Sequence, residues 1–449
     1  MRFNLSFILG FLLLAGTVSA QEAVPSTFTL QQCIDYALEH NQDILNKAID
    51  KEIADTQVRE TLSEGLPQVS IGAGVNYNYE RQKSLLDAST FDPTLPEGQE
   101  VVLSFQQKYD GNVALTLRQL IFDGSFFVGL QASKTYKELS TKEFIKSQID
   151  VVEAISKAYY NVLVSEERFA LIETNFSRID TILYETKIMR DNGFAERIDV
   201  NRLQVQYNNL KVQVENSEKL LELSRDILKF QMGMPLSNKI ELTDKLEEVI
   251  FDDPESNGGF DYSQRIEYSQ LQTNMALANL DLKNNKIKYL PTLYANFNYG
   301  YNTQTDNSDQ LFESDRWLNF GLVGLSLNVP VFDGFLKSNK IQHNKLQIRQ
   351  LENSFNQLEN SIDLEVRQAK INMETSLKQM TAQRENMELA EDIYNVTSIK
   401  FKEGVGSNLE LVEADADYKE AQTNYYNALY DALIAKVELE KAYGQLLKK

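Results

Sequence analysis

The sequence predicts a mainly α-helical protein with a smaller β portion of membrane-barrel type, in which long coiled-coil helical hairpins follow amphipathic β-hairpins. Three observations carry this prediction. The first is a doubling. Leu115-Thr-Leu-Arg-Gln-Leu-Ile-Phe-Asp-Gly124 answers to Leu325-Ser-Leu-Asn-Val-Pro-Val-Phe-Asp-Gly334, Asn192-Gly-Phe-Ala-Glu-Arg-Ile-Asp-Val200 to Glu403-Gly-Val-Gly-Ser-Asn-Leu-Glu-Leu411, and Gln231-Met-Gly233 to Ala442-Tyr-Gly444. The offset is 210 residues at Phe-Asp-Gly and 211 at the later glycines, near-constant enough to indicate a duplicated unit. The second is a heptad seam inside each copy. Val151, Ile155, Ala158, Val162, Ser165, Phe169, Ile172, Phe176, Ile179 and Leu183 alternate spacings of four and three, and their counterparts run from Ile362 and Val366 to Ala390 and Tyr394 in the same register. The third is a change of period, from about 3.5 to 2, in the stretch before each long helix.

Taken in order, the chain opens with a segment that reads as a secretory signal. Arg2 supplies the positive region, residues 8–15 the apolar core and Val18-Ser-Ala20 the cleavage site, so the mature chain is expected to begin at Gln21. That core is too short to span a bilayer, and no other stretch of about 18 apolar residues occurs. A net charge of −20 argues against nucleic acid as a partner. The single cysteine, Cys33, excludes an intrachain disulfide and any cysteine-based metal cluster. Only 8 prolines in 449 residues suit long unbroken helices.

Residues 29–64 read as helix, with Thr29 and Gln32 placed for a capping box and a break near Asn41. The partner segment ahead of the second copy is 263–289. Both end at a Leu-Pro, Leu66-Pro67 and Leu290-Pro291, where proline stops the helix and opens an extended segment. Then Val69, Ile71, Ala73, Val75, Tyr77 and Tyr79 alternate with Ser70, Gly72, Gly74, Asn76 and Asn78. After Pro291, Leu293, Ala295, Phe297, Tyr299 and Tyr301 alternate with mostly polar or small residues. A second strand follows each, with Val113, Leu115 and Leu117 in one and Val323, Leu325, Leu327 and Val329 in the other, although Leu318, Phe320 and Leu322 blur the latter. The connections, 84–104 and 303–315, read as polar and irregular. Four strands cannot close a barrel, and open edges are not tolerated in lipid. If the strands are membrane strands, three chains supply twelve, an even number in the usual range; the alternative is a soluble four-stranded sheet on a helix.

Phe122-Asp123-Gly124 and Phe332-Asp333-Gly334 join strand to helix, the Asp as an expected N-cap and the Phe at a depth that suits a membrane interface. The outgoing helix of the first copy, fully helical from Gly124 to Asn192, reaches about 100 Å. Each arm turns at a glycine and returns along Val200, Leu203, Tyr207, Leu210, Val214 or along Leu411, Ala414, Tyr418, Ala421, Tyr425. The expected organisation is a signal at 1–20, a first repeat at 21–234 (β-hairpin 67–122, helical hairpin 124–232), an acidic linker at 235–262 lying as a belt around the helical body, and a second repeat at 263–449 (β-hairpin 291–332, helical hairpin 334–447).

The ordered set of signal, duplicated strand–strand–hairpin units, Leu-Pro before each first strand, Phe-Asp-Gly after each second, and the Val405-Gly406-Ser407 turn followed by Leu409-Glu-Leu-Val-Glu-Ala414 resembles the TolC-like outer-membrane efflux family across essentially the whole mature chain. The resemblance implies a homotrimer in the outer membrane. A twelve-stranded barrel in lipid would continue into a periplasmic α-helical barrel, the exit duct of a tripartite efflux pump or a type I secretion system. The implied partners are a periplasmic adaptor (a membrane fusion protein) and an inner-membrane pump, with no cofactor. On this footing Asn192, Gly193, Gly404, Val405, Gly406 and Ser407 are the adaptor-docking tips, although a plain hairpin turn explains the glycines equally well. Glu410 and Glu413, three apart and so able to face one way, match the family's two acidic constriction positions, with one residue fewer between turn and first acid. In a trimer they give rings of carboxylates that favour cations and can bind divalent or trivalent metal. Asp199 is the first-copy counterpart of Glu410. The family ties that acid to a basic residue near the second tip, but Ser407 and Asn408 stand there instead. Arg202 with Glu413, or Lys402 with Asp199, are the substitute gate contacts; a solvated helix end with N-terminal acids is the structural alternative.

An enzyme is not expected. The two histidines, His40 and His343, have no ligand-type neighbours, and no glycine-rich phosphate loop follows a strand. The competing reading is a non-conducting envelope coiled coil or tether, which has no use for two amphipathic β-hairpins ahead of matched helices.

Overall fold

The structure is a computed structural model describing residues 27–90, 94, 96, 98, 100–246, 249, 251 and 260–447. The signal segment, Pro93, Pro254 with 256–259, and Lys448-Lys449 lie outside the described residues.

The helical start forms as its caps dictate. The amide of Thr29 donates to Gln32 Oε1 (2.9 Å) and that of Gln32 to Thr29 Oγ1 (3.3 Å), opening α1, Leu30–His40. Asn41 ends it and caps α2, Gln42–Ser63, by accepting from the amides of Asp43 (2.8 Å) and Ile44 (3.3 Å). One extended residue thus breaks the helix at the expected place. Ahead of α1, Thr27–Phe28 (β1) pairs in parallel with Glu241–Leu242 (β6) of the linker. Asp244 accepts the amide of Leu30 (3.0 Å), and Leu242, Leu246, Val249 and Phe251 pack on the core around Ile155, Tyr159 and Leu163. Those linker residues are therefore fastened to the middle of the helical body. Cys33 is buried there, and burial with the nearby charge of Asp244 pushes its thiol up to about 12, which makes it inert.

The sheet has four antiparallel strands in the order β2 (Gln68–Tyr77), β5 (Tyr109–Phe122), β7 (Thr292–Thr305), β8 (Leu318–Asn328). The two hairpins read from the sequence are joined along β5 and β7, paired from Tyr109↔Thr305 to Phe122↔Leu293 with an irregularity between Leu120 and Phe122. One expectation is corrected. The connection 84–104 is not structureless: Ser84–Asp87 (β3) and Glu100–Leu103 (β4) form a small antiparallel ribbon. Asp87 organises it by accepting from the amides of Ser89 (3.0 Å) and Gly98 (2.9 Å) and the Ser89 hydroxyl (2.8 Å). In the β7–β8 connection, 3₁₀ turns occupy Ser308–Phe312 and Ser314–Arg316.

Each repeat then sends out a long helix and a shorter return: α3 (Gly124–Asp191) with α4 (Arg197–Met232), α6 (Leu336–Lys402) with α7 (Asn408–Ala442). The returns are about half as long as the outgoing arms, 36 against 68 residues and 35 against 67. Beyond the end of α4, α3 is covered by α2 and by α5 (Ile266–Ile287), and α5 also packs on α6. The return helices end in tight joints. Gly233 has φ +73°, and a Cβ there would lie 2.4 Å from the carbonyl oxygen of His40; Gly444 has φ +69° and the same relation to Gln264 (2.7 Å). Asn41 Nδ2 donates to Gln231 O (2.8 Å) and Arg265 Nη1 to Ala442 O (3.0 Å), at matching positions of the two repeats. Each satisfies a carbonyl that a helix end would otherwise leave open.

The Phe-Asp-Gly junctions differ, and here a second expectation is corrected. Asp123 caps α3 by accepting from Ser125 N (2.7 Å). Asp333 is not the N-cap of α6. Gly334 (φ +64°) and Phe335 (φ +67°) are both left-handed, and the helix starts after them. Asp333 instead reaches past them to accept from the Lys337 amide (3.1 Å) and ammonium (2.9 Å). β5 pairs with β2 only as far as Arg118, the counterpart of Asn328, and runs on to Phe122 along its second neighbour β7; β8 ends the sheet and stops at Asn328.

Candidate functional site: the sheet face and the hairpin tips

The register sorts the strand residues without ambiguity. Val69, Leu117, Phe297 and Val323 form one cross-strand row, and Ile71, Leu115 and Tyr299 lie in the next. All are on one face. Gln68, Arg118, Asn296 and Gly324 form a row on the other, as do Ser70, Thr116 and Asn298. Among the described residues nothing covers the apolar face: Ile71 is 74 % exposed, Val323 77 % and Leu325 74 %. Leu318, Phe320 and Leu322 sit on the polar face of β8, so the blur in the sequence is real. β2 and β8 are the sheet's ends, each with one side unpaired among the described residues. A sheet that is apolar on one side, polar on the other and open at both edges is a segment of a barrel wall. Among the described residues no helix is long and apolar enough to cross a membrane.

At the far end the two tips are the same object twice. The amides of Gly193 and Phe194 donate to Arg190 O (3.0 Å) and Met189 O (2.8 Å). Those of Gly404 and Val405 donate to Phe401 O and Lys400 O (both 3.0 Å). This is a Schellman closure at each tip, with left-handed Gly193 (φ +84°) and Gly404 (φ +76°). Asn192 adds a bond from Nδ2 to Ile188 O (2.8 Å). Phe194 and Val405, at matching positions, are each 79 % exposed. Gly406 closes the second turn, where a Cβ would lie 3.0 Å from Lys400 Cβ. Ser407 caps α7 by accepting from Glu410 N (3.1 Å), and Asp199 caps the backbone of Glu196 (3.1 Å).

Glu410 and Glu413 are exposed. Helix geometry places them opposite the buried seam of α7. At about 100° per residue, they fall within about 40° of the direction opposite Asp415. Asp417 and Glu420 share that face and extend it into a stripe of four acids, which sequence reading missed although the spacing of three, four and three was the signal. Arg202 Nη1 lies 3.8 Å from Asp199 Oδ1 on its own helix. Within the chain neither Arg202 with Glu413 nor Lys402 with Asp199 is among the ion pairs of the described residues. Asp199 is already committed to its local cap. The sequence reading also passed over a buried polar group. Asp415 is 1 % exposed, between Arg178 (3.0 Å) and Lys419; burial pulls the Lys419 ammonium below its ordinary range despite Asp415.

A wall segment of this kind, continued by a helical hairpin body with acid-lined tips, defines a channel-type protein. The family model for outer membrane efflux proteins matches residues 33–229 and 263–445. The chain belongs to that family. The two matched stretches leave residues 230–262 between them. The outer membrane protein TolC of Vibrio cholerae is 20 % identical over 430 residues, covering 93 % of this chain and 91 % of the relative. The probable efflux pump outer membrane protein TtgC of Pseudomonas putida is 22 % identical over 426 residues, 92 % and 82 %. The alkaline protease secretion protein AprF of Pseudomonas aeruginosa is 22 % identical over 386, 82 % and 76 %. The open-state MtrE outer membrane channel of Neisseria gonorrhoeae superposes with a TM-score of 0.73 at 18 % identity, covering 94 % of this chain and 90 % of that one. These relatives are channel proteins of efflux and secretion systems, not enzymes.

Proposed function

We propose that three copies of this chain close a twelve-stranded barrel in the outer membrane, continued by an α-helical duct, and that the assembly is the exit channel of an efflux or secretion machine. The observation that carries this reading is the uncovered apolar sheet face with its two open edges. Left alone in lipid, each edge would strand a row of unpaired N–H and C=O groups at several kcal/mol apiece. Pairing β8 of one copy with β2 of the next removes both edges at once. The helical body supports the same closure. Leu389, Ile393 and Val396 on α6 and Ile198, Val205 and Val212 on α4 form exposed apolar stripes, each between 51 % and 62 % exposed.

In that assembly the acid face of α7 lines the duct, and Glu410 and Glu413 form its constriction, with Asp199 beside it. The tips, Asn192–Gly193 and Gly404 to Ser407, with Phe194 and Val405 as apolar knobs, dock on a periplasmic adaptor. An inner-membrane pump supplies the energy. The names of the relatives, which include efflux pumps and a protease secretion system, support this class of machine. The mature chain follows a cleaved signal and carries no cofactor.

The test is planar-bilayer conductance of the purified protein, wild type beside Glu410→Gln/Glu413→Gln. Cation-selective currents blocked by divalent ions from the tip side, with block lost in the variant, are expected. Block that ignores the variant places the constriction elsewhere. Absence of conductance from a reconstituted trimer favours the tether.

A further inference from the structure

Between α3, α4 and α7 the helical body leaves a cavity of about 280 Å³, near the lower end of the range for small-ligand sites. All of its walls come from one chain. One part is apolar, with Leu171 and Ile172 of α3, Leu220 and Leu221 of α4 and Tyr426 of α7. The other part carries two cations, Arg168 of α3 and Lys419 of α7, beside Asn175 and Gln422. Among the described residues no Asp or Glu lines it, in a chain whose net charge is −20.

The polar wall is held in place from behind. Asn175 and Gln422 are 3 % and 4 % exposed. Asn175 Nδ2 donates to Gln422 Oε1 (3.1 Å), and Asn175 Oδ1 accepts from Arg178 Nη2 (2.7 Å). Arg168 Nη2 donates to Asn427 Oδ1. Arg168 Nε is buried and meets no acceptor among the described residues. Burial pulls the Arg168 guanidinium below its ordinary range against the charge of Asp431, as it does the Lys419 ammonium against Asp415. Neither of those acids lines the cavity. A desolvated cation whose acid partner lies to one side gains from an anion brought to its open side, and gains more than it would in water.

Helix geometry says which medium the cavity faces. At about 100° per residue, the cavity residues of α7 (Lys419, Gln422, Thr423 and Tyr426) centre about 150° around the helix from the acid stripe of Glu410, Glu413, Asp417 and Glu420. Those of α4 centre about 110° from the exposed apolar stripe of Ile198, Val205 and Val212. The cavity thus avoids both the acid face and the stripe that meets another copy. Arg168 lies about 65 Å along α3 from Gly124, too far for a bilayer headgroup or acyl chain to reach.

We propose that this cavity is a binding site for a small amphipathic organic anion taken from the surrounding water. Its carboxylate or sulfonate head is held by Arg168 and Lys419, and its body of several carbons lies against Leu171, Leu220 and Tyr426. An inorganic anion would leave the apolar wall uncovered, and a neutral amphiphile would leave the cations unpaired. The site is complete in one chain and goes beyond the channel reading.

The test is equilibrium dialysis of the purified protein in lipid nanodiscs against labelled octanoate, with uptake by empty nanodiscs subtracted and with acetate and 1-octanol run beside it. Saturation at one octanoate per chain is expected, at least about tenfold tighter than either companion. Arg168→Gln, which keeps a donor for Asn427, is expected to weaken octanoate at least about tenfold. Ser217→Phe, at a half-buried lining position of α4, leaves both cations in place, fills the space and is expected to abolish saturable binding. Thermal unfolding checks each variant, and either one decides if the other fails to fold. Uptake no greater than that of empty nanodiscs overturns the proposal. Octanoate binding that survives the folded variants unchanged overturns it too, by placing the ligand elsewhere. Acetate or 1-octanol binding as tightly as octanoate overturns the ligand class. None of these readouts depends on conductance, so the site and the channel reading fail separately.

Discussion

The two outgoing helices have nearly the same length and the same heptad spacing, yet they live in different surroundings. α3 buries residues along most of its length, because α2, α4, α5 and α7 all pack on it; α6 buries only Asn344, Ile362, Ala369, Met373 and Tyr394. Leu364, Ile371, Leu389, Ile393, Val396 and Ile399 on α6 stand exposed in the single chain, while Val366, Leu377, Met380 and Met387 are half-buried. A duplicated pattern therefore does not make a duplicated environment. In a chain that is a fraction of a ring, the interior helix completes its contacts at once, and the outer helix completes them only with another copy.

That difference sets the order of expected effects. Ile182→Ala, in the interior helix, is expected to cost about 2–4 kcal/mol of chain stability, read from thermal unfolding in detergent. Ile393→Ala, at the counterpart position on α6, is expected to leave secondary structure and monomer stability within about 0.5 kcal/mol, and to lower the trimer fraction on sizing columns. Equal losses in the two variants would break the comparison.

A next contrast lies between glycines of one conformation and different surroundings. Gly193→Ala meets nothing within 4 Å, so only the left-handed backbone resists it, at about 1–2 kcal/mol. Gly233→Ala has the same backbone penalty plus a clash with the His40 carbonyl, and its melting temperature is expected to fall further. The junctions give a smaller difference. Asp123→Ala removes a true N-cap and is expected to cost about 1 kcal/mol. Asp333→Ala, which reaches α6 from outside its cap, should cost less; a larger loss would mean that the left-handed pair Gly334-Phe335 depends on it.

The smallest expected effect is on pH dependence. Burial works to raise the Glu153 carboxyl, but bonds and charges from Lys441 and Lys157 outweigh it and hold it below the ordinary carboxylate range. A depressed carboxyl contributes stability that is present above its unfolded value, near 4.5, and is lost as pH falls through the folded one. Glu153→Gln should therefore flatten the acid limb of the stability profile below about pH 4.5. An unchanged limb would remove this cluster from the account of how α3 is held to α7.

Much of this was legible in the residues. The Thr29 capping box, the break at Asn41, the Leu-Pro helix stops and the matched glycine turns depend on contacts within a few residues of one another, and the four strands show themselves by a local alternation although their pairing is long-range. The β3–β4 ribbon was missed because Asp87 organises it through residues up to eleven positions away, in a stretch rich in polar residues. The delayed start of α6 was missed because the Phe-Asp-Gly match hid that Gly334 and Phe335 both turn left-handed at the second junction. At the candidate site the acids Glu410 and Glu413 were found by spacing. Asp415 was not, because nothing in a charged helix distinguishes the one acid that faces inward.

Periodicity and duplication by themselves determined which faces of this chain are apolar, where its arms turn and that its four strands need company. Whether a given seam position meets a partner inside the chain or waits for another copy was decided only by tertiary structure. The same spacing occurs on α3 and α6; each has its own return helix and both meet α5, and what tells them apart is that α1, α2 and α7 also close over α3. The burial of Asp415 followed in the same way, since a charge leaves water when helices far apart in sequence close over it.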